Sequence, residues 1–384
     1  MGESAMIGTR EIENEEQKVI LSLSVANPSG EALSRIRELM QDKKYAIDFV
    51  RILECAAANE VATICYENLR TFDNVPLEIT VKLRNAYLRS VRNNVLNSEE
   101  MLRILRSLAK GGVEAIPLKG SLASELIFGN PGIYPATDID ILVRPGDLER
   151  AETIVVEAGY SKNEGLSDED LLLSHYHLVY RKDSHFLELH WNLAKRYYHI
   201  PPDFWWEESR RIDYAGISLN ILSPERYLMY AIFRLFDHGF KPLKFFVFVS
   251  RLIQKYEKEI DWEKFRRLSG TCRMERLTVF TLQLVHELFR TQIPDDILRI
   301  HVRGYEYFKK RILAGIFGGV GRPHFQMFLY TFLLDTPGEF AKVMTKRFFP
   351  GMGEIRLRYG LPSSSKKAYA YYLLNPIMVF LKKR

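Results

Sequence analysis

Cysteine is scarce in this sequence. Three residues in 384, Cys55, Cys65 and Cys272, stand far from any Cys-x-x-Cys spacing. That excludes a disulfide framework and a cysteine-built zinc site, and the three are expected as small buried apolar side chains in a reducing compartment. Long apolar runs are also missing. Nothing approaches the roughly 18–20 residues that span a bilayer; Phe245–Val249 and Tyr371–Leu381 come nearest and are short. The N-terminus is polar and acidic, without the charged-then-apolar pattern of a secretion signal, so the chain is expected in the cytoplasm. There is no internal repeat and no low-complexity tract. A decisive excess of one charge is absent too: 54 basic against 48 acidic residues leave a net charge of +6. A basic patch, which nucleic-acid binding demands, does not follow from that average.

What is present is ordinary for a globular protein, with 47% hydrophobic and 27% charged residues. Aromatic residues, at 12%, argue for well-filled cores rather than disorder. The length allows two or three domains. Residues 1–30 read as a flexible leader, and residues 31–110 as an N-terminal helical region. Met101, Ile104, Leu105 and Leu108 fall on one helical face there.

The texture changes at Gly111. Val113 to Leu118 reads as a buried strand, Ser121 to Phe128 as a short helix, and Asn130 to Pro135 as a loop. Asp138 to Val143 alternates strictly, with Ile139, Ile141 and Val143 on one apolar face. Asp147 to Ala158 is a helix stopped by Gly159. His177–Arg181 and His185–Trp191 form a hairpin about Lys182-Asp183-Ser184. Helical texture returns at Ser223-Pro224-Glu225, with Ser223 as cap and Pro224 in the first turn. Phe348–Pro362 reads as loop and Ser363–Arg384 as a basic, aromatic helix. The expected division is thus leader 1–30, helical region 31–110, catalytic domain 111–222 and C-terminal helical region 223–384.

Three features carry chemistry. Leu118-Lys119-Gly120-Ser121 lies at a strand-to-helix junction, Asp138-Ile139-Asp140 on a strand, and Glu188 on a later strand. Alternate strand residues share a face, so Asp138 and Asp140 reach one point. Two carboxylates held that close repel unless a cation lies between them, and Mg²⁺ prefers such oxygen ligands together with substrate phosphates. A third carboxylate, Glu188, gives room for a second ion in a two-metal displacement. Gly120 lets the backbone approach a phosphate, and the amides at the following helix start favour an anion, with the Ser121 hydroxyl beside them. Lys119 adds charge if it turns inward, although a strand-end lysine commonly faces solvent. Each piece alone has a plain structural reading; their order is what makes the case.

These residues resemble a known family. Ile116 to Ser121, Thr137 to Val143, the helix ending Ala158-Gly159-Tyr160, and Leu187-Glu188-Leu189-His190-Trp191 are similar to the uncharacterised nucleotidyltransferase family of bacterial genomes, within the DNA polymerase β-like superfamily. The resemblance extends from about Asp48 through Ser223-Pro224-Glu225, His238 and Ile260-Asp261-Trp262, and weakly to Arg358-Tyr359. It implies an α+β fold, a small mixed-sheet nucleotidyltransferase core flanked by N- and C-terminal α-helical regions. It implies transfer of an NMP group from an NTP with release of pyrophosphate, using Mg²⁺ or Mn²⁺. Asp138, Asp140 and Glu188 would be catalytic and metal-binding, Lys119, Gly120 and Ser121 nucleotide-binding, and His190 and His238 accessory. The acceptor is open: a small molecule, a protein, a polysaccharide precursor or an RNA end. Two departures bear on substrate contacts. Ile133-Tyr134-Pro135-Ala136 holds no arginine where members often carry one before the acidic pair, and Phe245-Phe246-Val247-Phe248 replaces a frequent aspartate.

Rival readings are an Asp-x-Asp glycosyltransferase using a sugar nucleotide, and a nucleotide-binding scaffold without turnover. His175, His177, His185 and His190 cluster in sequence around the hairpin, which leaves zinc as a minor alternative; the spacing is not a strong zinc pattern, and His185 and His190 fall on opposite strand faces. His190 shares a face with Glu188, and a hydrogen-bonded structural role is the default for it and for His238. Tyr197, Tyr198, Trp205 and Trp206 are expected in packing rather than stacked on a base. The basic tail, with Lys366, Lys367, Lys382, Lys383 and Arg384, is expected as a solvated helix face rather than a lipid or RNA contact.

Overall fold

A computed structural model describes residues 15–25, 28, 30–41, 48–162, 176–194, 198–318, 329, 332–362 and 364–381. His175, Tyr197, Lys382, Lys383 and Arg384 fall outside them.

Helices α1 (Glu15–Leu23), α2 (Gly30–Gln41), α3 (Phe49–Ala58) and α4 (Ala62–Leu69) open the chain and lead to α5 (Leu77–Lys110), 34 residues long. The expected leader is corrected from residue 15 on. Val19, Ile20, Leu21 and Leu23 of α1 are buried in the core, because four apolar side chains within five residues outweigh the acidic run before them. Asn68 of α4 donates to the carbonyls of Leu23 and Val25 and ties the end of α1 down.

The sheet follows: β1 (Ala115–Pro117), α6 (Ser121–Leu126), β2 (Ile139–Val143), α7 (Leu148–Glu157), β3 (Ser161–Lys162), β4 (His177–Lys182) and β5 (His185–His190). The spatial order is β1-β2-β5-β4-β3. Only β2 and β5 run parallel, with Asp140 opposite Glu188 and Leu142 opposite His190. The other pairs are antiparallel, and His177 faces His190 across β4 and β5. Asp183 takes φ +51° in the β4–β5 turn. Gly159 takes φ +91° after α7, and Tyr160 N–H returns to Val155, so the helix stops where the glycine allows it.

One face of the sheet packs on α5 and α7. Ile139, Ile141, Val143, Leu187 and Leu189 meet Met101, Ile104, Leu105, Leu108, Ala151 and Val155 there. The opposite face is covered as well: Ile116 and Leu142 belong to the larger helical core. The expectation of one buried face on β2 is therefore corrected. All five β2 residues are buried, and the polar alternation marks an internal site rather than solvent.

A second hairpin, β6 (Arg210–Tyr214) and β7 (Ile217–Ile221), turns at Ala215-Gly216 and packs beside β1. Helix α8 (Pro224–Asp237) reaches the start of the site through Tyr227, which donates to the Leu118 carbonyl, and is followed by α9 (Leu243–Lys255), α10 (Trp262–Thr271) and α11 (Glu275–Phe289). Ser223 precedes α8 in extended backbone, but its hydroxyl makes no cap bond; Pro224 and the first carbonyl set the start. The expected break at 222/223 is not a break in packing, since Leu222 and Tyr227 share one core with Leu142. Residues 348–362 are not all loop: Met352–Tyr359 is helical, with Ile355 buried. The tail is the helix Lys367–Leu381, whose exposed side is apolar rather than charged, with Tyr369, Leu373 and Ile377 all more than half exposed. Among the described residues no helix is long and apolar enough to cross a membrane.

Candidate active site

Asp138 stands one residue before β2 and Asp140 inside it. Parallel pairing brings Glu188 beside Asp140 on the same face. One oxygen from each of Asp138, Asp140 and Glu188 lies within 4.8 Å of the others. Asp140 is the deepest, 1% exposed, while Asp138 and Glu188 keep partial access.

The chain supplies its own cations to these carboxylates. Lys119 turns inward rather than to solvent, and its Nζ lies 3.1 Å from an oxygen of Asp138 and 3.1 Å from Asp140 Oδ2. Burial favours the neutral amine, yet Asp140, Tyr230 and Asp138 outweigh it and hold the pKa of Lys119 well above the ordinary lysine value. His190 Nε2 lies 3.1 Å from Asp140 Oδ1 and 3.3 Å from Glu188 Oε2. Burial lowers its pKa, and the hydrogen bonds to Asp140 and Glu188 reverse that and raise it. Glu188 moves the other way. Its burial would raise the pKa, but the His190 hydrogen bond and charge lower it far below the usual carboxylate range.

The loop before Asp138 is fixed by buried amides. Asn94, on α5 and fully buried, donates to the carbonyls of Pro131 and Tyr134 and accepts from Ala136 N–H. Thr63 donates to the Ile133 carbonyl, and Asn97 joins Ala136 to His185 Nδ1. The segment without an arginine is thus held in place by amide and hydroxyl groups.

Gly120 takes φ +82° and ψ −135°, a conformation open in practice to glycine alone. A Cβ there would lie 3.2 Å from the Asp138 carbonyl oxygen. The glycine therefore brings the α6 start against the strand that carries the carboxylates. Ser121 is the first residue of α6 and is buried.

Helix α8 adds residues that sequence reasoning missed. Tyr227 donates to the Leu118 carbonyl at 2.6 Å, just before Lys119. Arg234 donates to the Tyr176 hydroxyl at 3.2 Å. Desolvation lowers the Arg234 pKa, but Tyr230, Tyr176 and Asp140 raise it further, so the guanidinium stays charged beside the site. The signal was legible: Tyr227, Tyr230, Arg234 and Asp237 recur at three and four residues, a polar stripe beside the apolar Leu228, Met229, Ile232 and Phe233.

His190 is thus brought to the carboxylates. His238 follows α8, and its ring stacks on Phe245 at 4.6 Å. Phe246 and Phe248, in the stretch where an aspartate was expected, are buried, and Phe248 packs on Tyr134. Trp205 and Trp206 are packing residues: Trp205 donates to Asn192, and Arg144 lies 4.4 Å from the Trp206 ring centre. Tyr198 stacks on Phe233 and donates to Asp237. Cys65 and Cys272 behave as small buried groups, burial pushing both up to about 12, whereas Cys55 is only partly buried.

No curated protein matches the chain. Among solved structures, the solution structure of the antibiotic-resistance factor ANT(2'')-Ia is similar at a TM-score of 0.32 and 15% identity, over 45% of this chain and 91% of that one. The sequence model of the uncharacterised nucleotidyltransferases matches residues 45–290, a span holding the whole sheet, the carboxylates and α8. The chain belongs to that uncharacterised nucleotidyltransferase family, and as a member it is a transferase enzyme.

Proposed function

We propose that the protein moves an NMP group from an NTP to an acceptor nucleophile, releases pyrophosphate and depends on a divalent cation. The observation that supports this most is the meeting of Asp138, Asp140 and Glu188 on one sheet face, each with an oxygen within 4.8 Å of the others. The donor set suits a hard ion such as Mg²⁺ or Mn²⁺. Asp140 Oδ2 is fully buried and, among the described residues, accepts no well-formed hydrogen bond, its ion-pair partner being Lys119. An oxygen in that state is poised for a ligand role. When bound, the cation would neutralise triphosphate charge and polarise the reacting phosphoryl group.

The protein groups have separable tasks. Asp138 and Asp140 hold the cation. Glu188 completes the set or accepts the acceptor's proton. Lys119 shifts from the carboxylates to the triphosphate, beside Gly120 and Ser121. Arg234 adds positive charge from α8, in place of the arginine that the 133–136 loop lacks. Tyr227 keeps the Leu118 carbonyl, and with it the Lys119 backbone, in register.

A second reading draws on Lys119. Its ammonium lies between the two aspartates, where a cation would otherwise bind, and a protein satisfied in this way can bind nucleotide without turnover. The sugar-nucleotide alternative draws no support from family membership. One experiment separates the first two. The protein is incubated with each α-labelled NTP, Mg²⁺ or Mn²⁺ and a host lysate as acceptor source, beside Asp138→Asn and Asp140→Asn. Label transfer by the native protein alone supports nucleotidyl transfer. Metal-dependent NTP binding without transfer supports the scaffold reading, and no binding of either kind removes the site assignment.

A further inference from the structure

The same sheet face carries a second group of ligand atoms, of different chemistry. His177 on β4 lies opposite His190 on β5, and Glu188 precedes His190 by two residues. All three therefore share one face. One ligand atom from each lies within 4.8 Å of the others, and the two imidazole centres are 5.0 Å apart. His190 Nε2 and Glu188 Oε2 are 3.3 Å apart. Zinc bonds of about 2.0–2.1 Å in a tetrahedron give a ligand-to-ligand edge of about 3.3–3.4 Å. That edge is already present.

The imidazoles are also held in place. Tyr176 is buried against both, edge-on to His177 at 5.0 Å and stacked on His190 at 6.0 Å. Its carbonyl accepts Trp191 N–H, which closes the open end of the β4–β5 hairpin. His190 is 2% exposed, and its Nδ1 is buried with no hydrogen-bond partner among the described residues. In the Nδ1–H tautomer the Nε2 lone pair faces Glu188, and a bound cation would replace the proton that Nε2 otherwise shares with Asp140 and Glu188.

We infer that His177, Glu188 and His190 form a binding site for a borderline-soft divalent ion of the zinc class, next to the Asp138–Asp140 pair and sharing Glu188 with it. Imidazole nitrogens select Zn²⁺, Co²⁺ or Ni²⁺ over Mg²⁺, whereas the aspartate pair offers oxygen alone. Two nitrogens and one carboxylate leave a fourth position for water. The competing arrangement has no ion: a protonated His190 bridges Asp140 and Glu188 by hydrogen bonds, and His177 is an ordinary neighbour.

The test uses the full chain, stripped with chelator and kept free of nucleotide. Zn²⁺ is titrated in competition with a chromophoric indicator, into the native protein, His177→Gln, Glu188→Gln and Asp138→Asn. One equivalent is expected to bind the native chain. Affinity is expected to fall at least about tenfold in His177→Gln and Glu188→Gln, and to change less than about twofold in Asp138→Asn. Equal affinity in His177→Gln, equal losses in His177→Gln and Asp138→Asn, or no binding to the native chain would overturn the site. If a variant fails to fold, the Co²⁺-loaded native protein gives the answer: paramagnetically shifted imidazole N–H resonances from two histidines are expected, and their absence refutes it. Since no nucleotide is present, a negative result leaves the nucleotidyl-transfer reading standing, and the converse holds.

Discussion

At the scale of single residues, Gly120 shows how little freedom the site tolerates. Its positive φ belongs to a region that costs an L-residue about 1–3 kcal/mol. A Cβ would also press on the Asp138 carbonyl at 3.2 Å and on Ala136 Cβ at 3.3 Å. Gly120→Ala is therefore expected to lose about 1–3 kcal/mol in denaturant unfolding and to weaken divalent-ion binding by shifting the backbone of Asp138. A variant indistinguishable from native in both measurements would show that the strand has slack and that the glycine is incidental. The glycine itself was readable in the sequence, as were Asp138, Asp140 and Glu188, because strand alternation fixes which side chains share a face. The inward turn of Lys119 was not. It depends on two carboxylates nineteen and twenty-one positions further along the chain, each 3.1 Å from its Nζ. The pairing of His177 with His190 was missed for a related reason. Spacing along the chain gives no strong zinc pattern there, whereas antiparallel register sets the two residues opposite each other, with their rings tilted and 5.0 Å apart.

At the scale of elements, β2, β5 and α7 were legible because period-two and period-3.6 patterns ran without interruption between glycine and proline stops. The β6–β7 hairpin has its own sequence signal, with Ile212 and Tyr214 alternating before Ala215-Gly216. The apolar face by which α5 meets the sheet was legible at Met101, Ile104, Leu105 and Leu108, but the polar contacts at its edge were hidden, since Lys182 and the Ala158 carbonyl come from distant segments. Glu100 on α5 accepts two bonds from Arg103, at 2.6 and 2.7 Å, and Lys182 of β4 reaches it at 3.4 Å. Arg103 also donates to the Ala158 carbonyl at the end of α7. The Arg103 hydrogen bond, opposed by desolvation, pulls the Glu100 carboxyl from 4.5 down to about 2. A carboxyl depressed in the folded state contributes stability above its unfolded pKa, and that contribution is lost as pH falls through the folded value. Between about pH 4.5 and 2 the native protein should thus lose more thermal stability than Glu100→Gln, which has no proton to take up at that position. Parallel melting curves for the two proteins across that window would contradict a stabilising role for the Glu100 carboxylate, whose main partner is Arg103.

At the scale of the whole molecule, the site depends on packing from both ends of the chain. Helix α8 reaches the site through Tyr227, and its buried face runs into the larger core with α9 and α11. Helix α1 packs on α3, α4 and α11, so the N-terminal segment closes a core made mostly of residues two hundred positions later. The acidic run before Val19 disguised this, because a leader and a short amphipathic helix begin alike and only tertiary partners distinguish them. Leu23 is fully buried, and its carbonyl accepts Asn68 Nδ2 at 2.7 Å. Leu23→Ala removes buried methyl groups where the backbone is pinned and the cavity cannot easily collapse, so a loss of about 2–4 kcal/mol is expected. Deletion of residues 1–25 should cost more, since Val19, Ile20 and Leu21 leave the core with it and Ile64, Cys65 and Leu69 lose their cover. Denaturant unfolding, followed by tryptophan fluorescence, reads both changes, because Trp205 and Trp206 belong to the same core as α1. If the deletion unfolds at the native midpoint, α1 is a detachable arm and the core closes without it. If the midpoint falls in both variants while the slope stays constant, α1 is part of the same cooperative unit that holds α8 at the site.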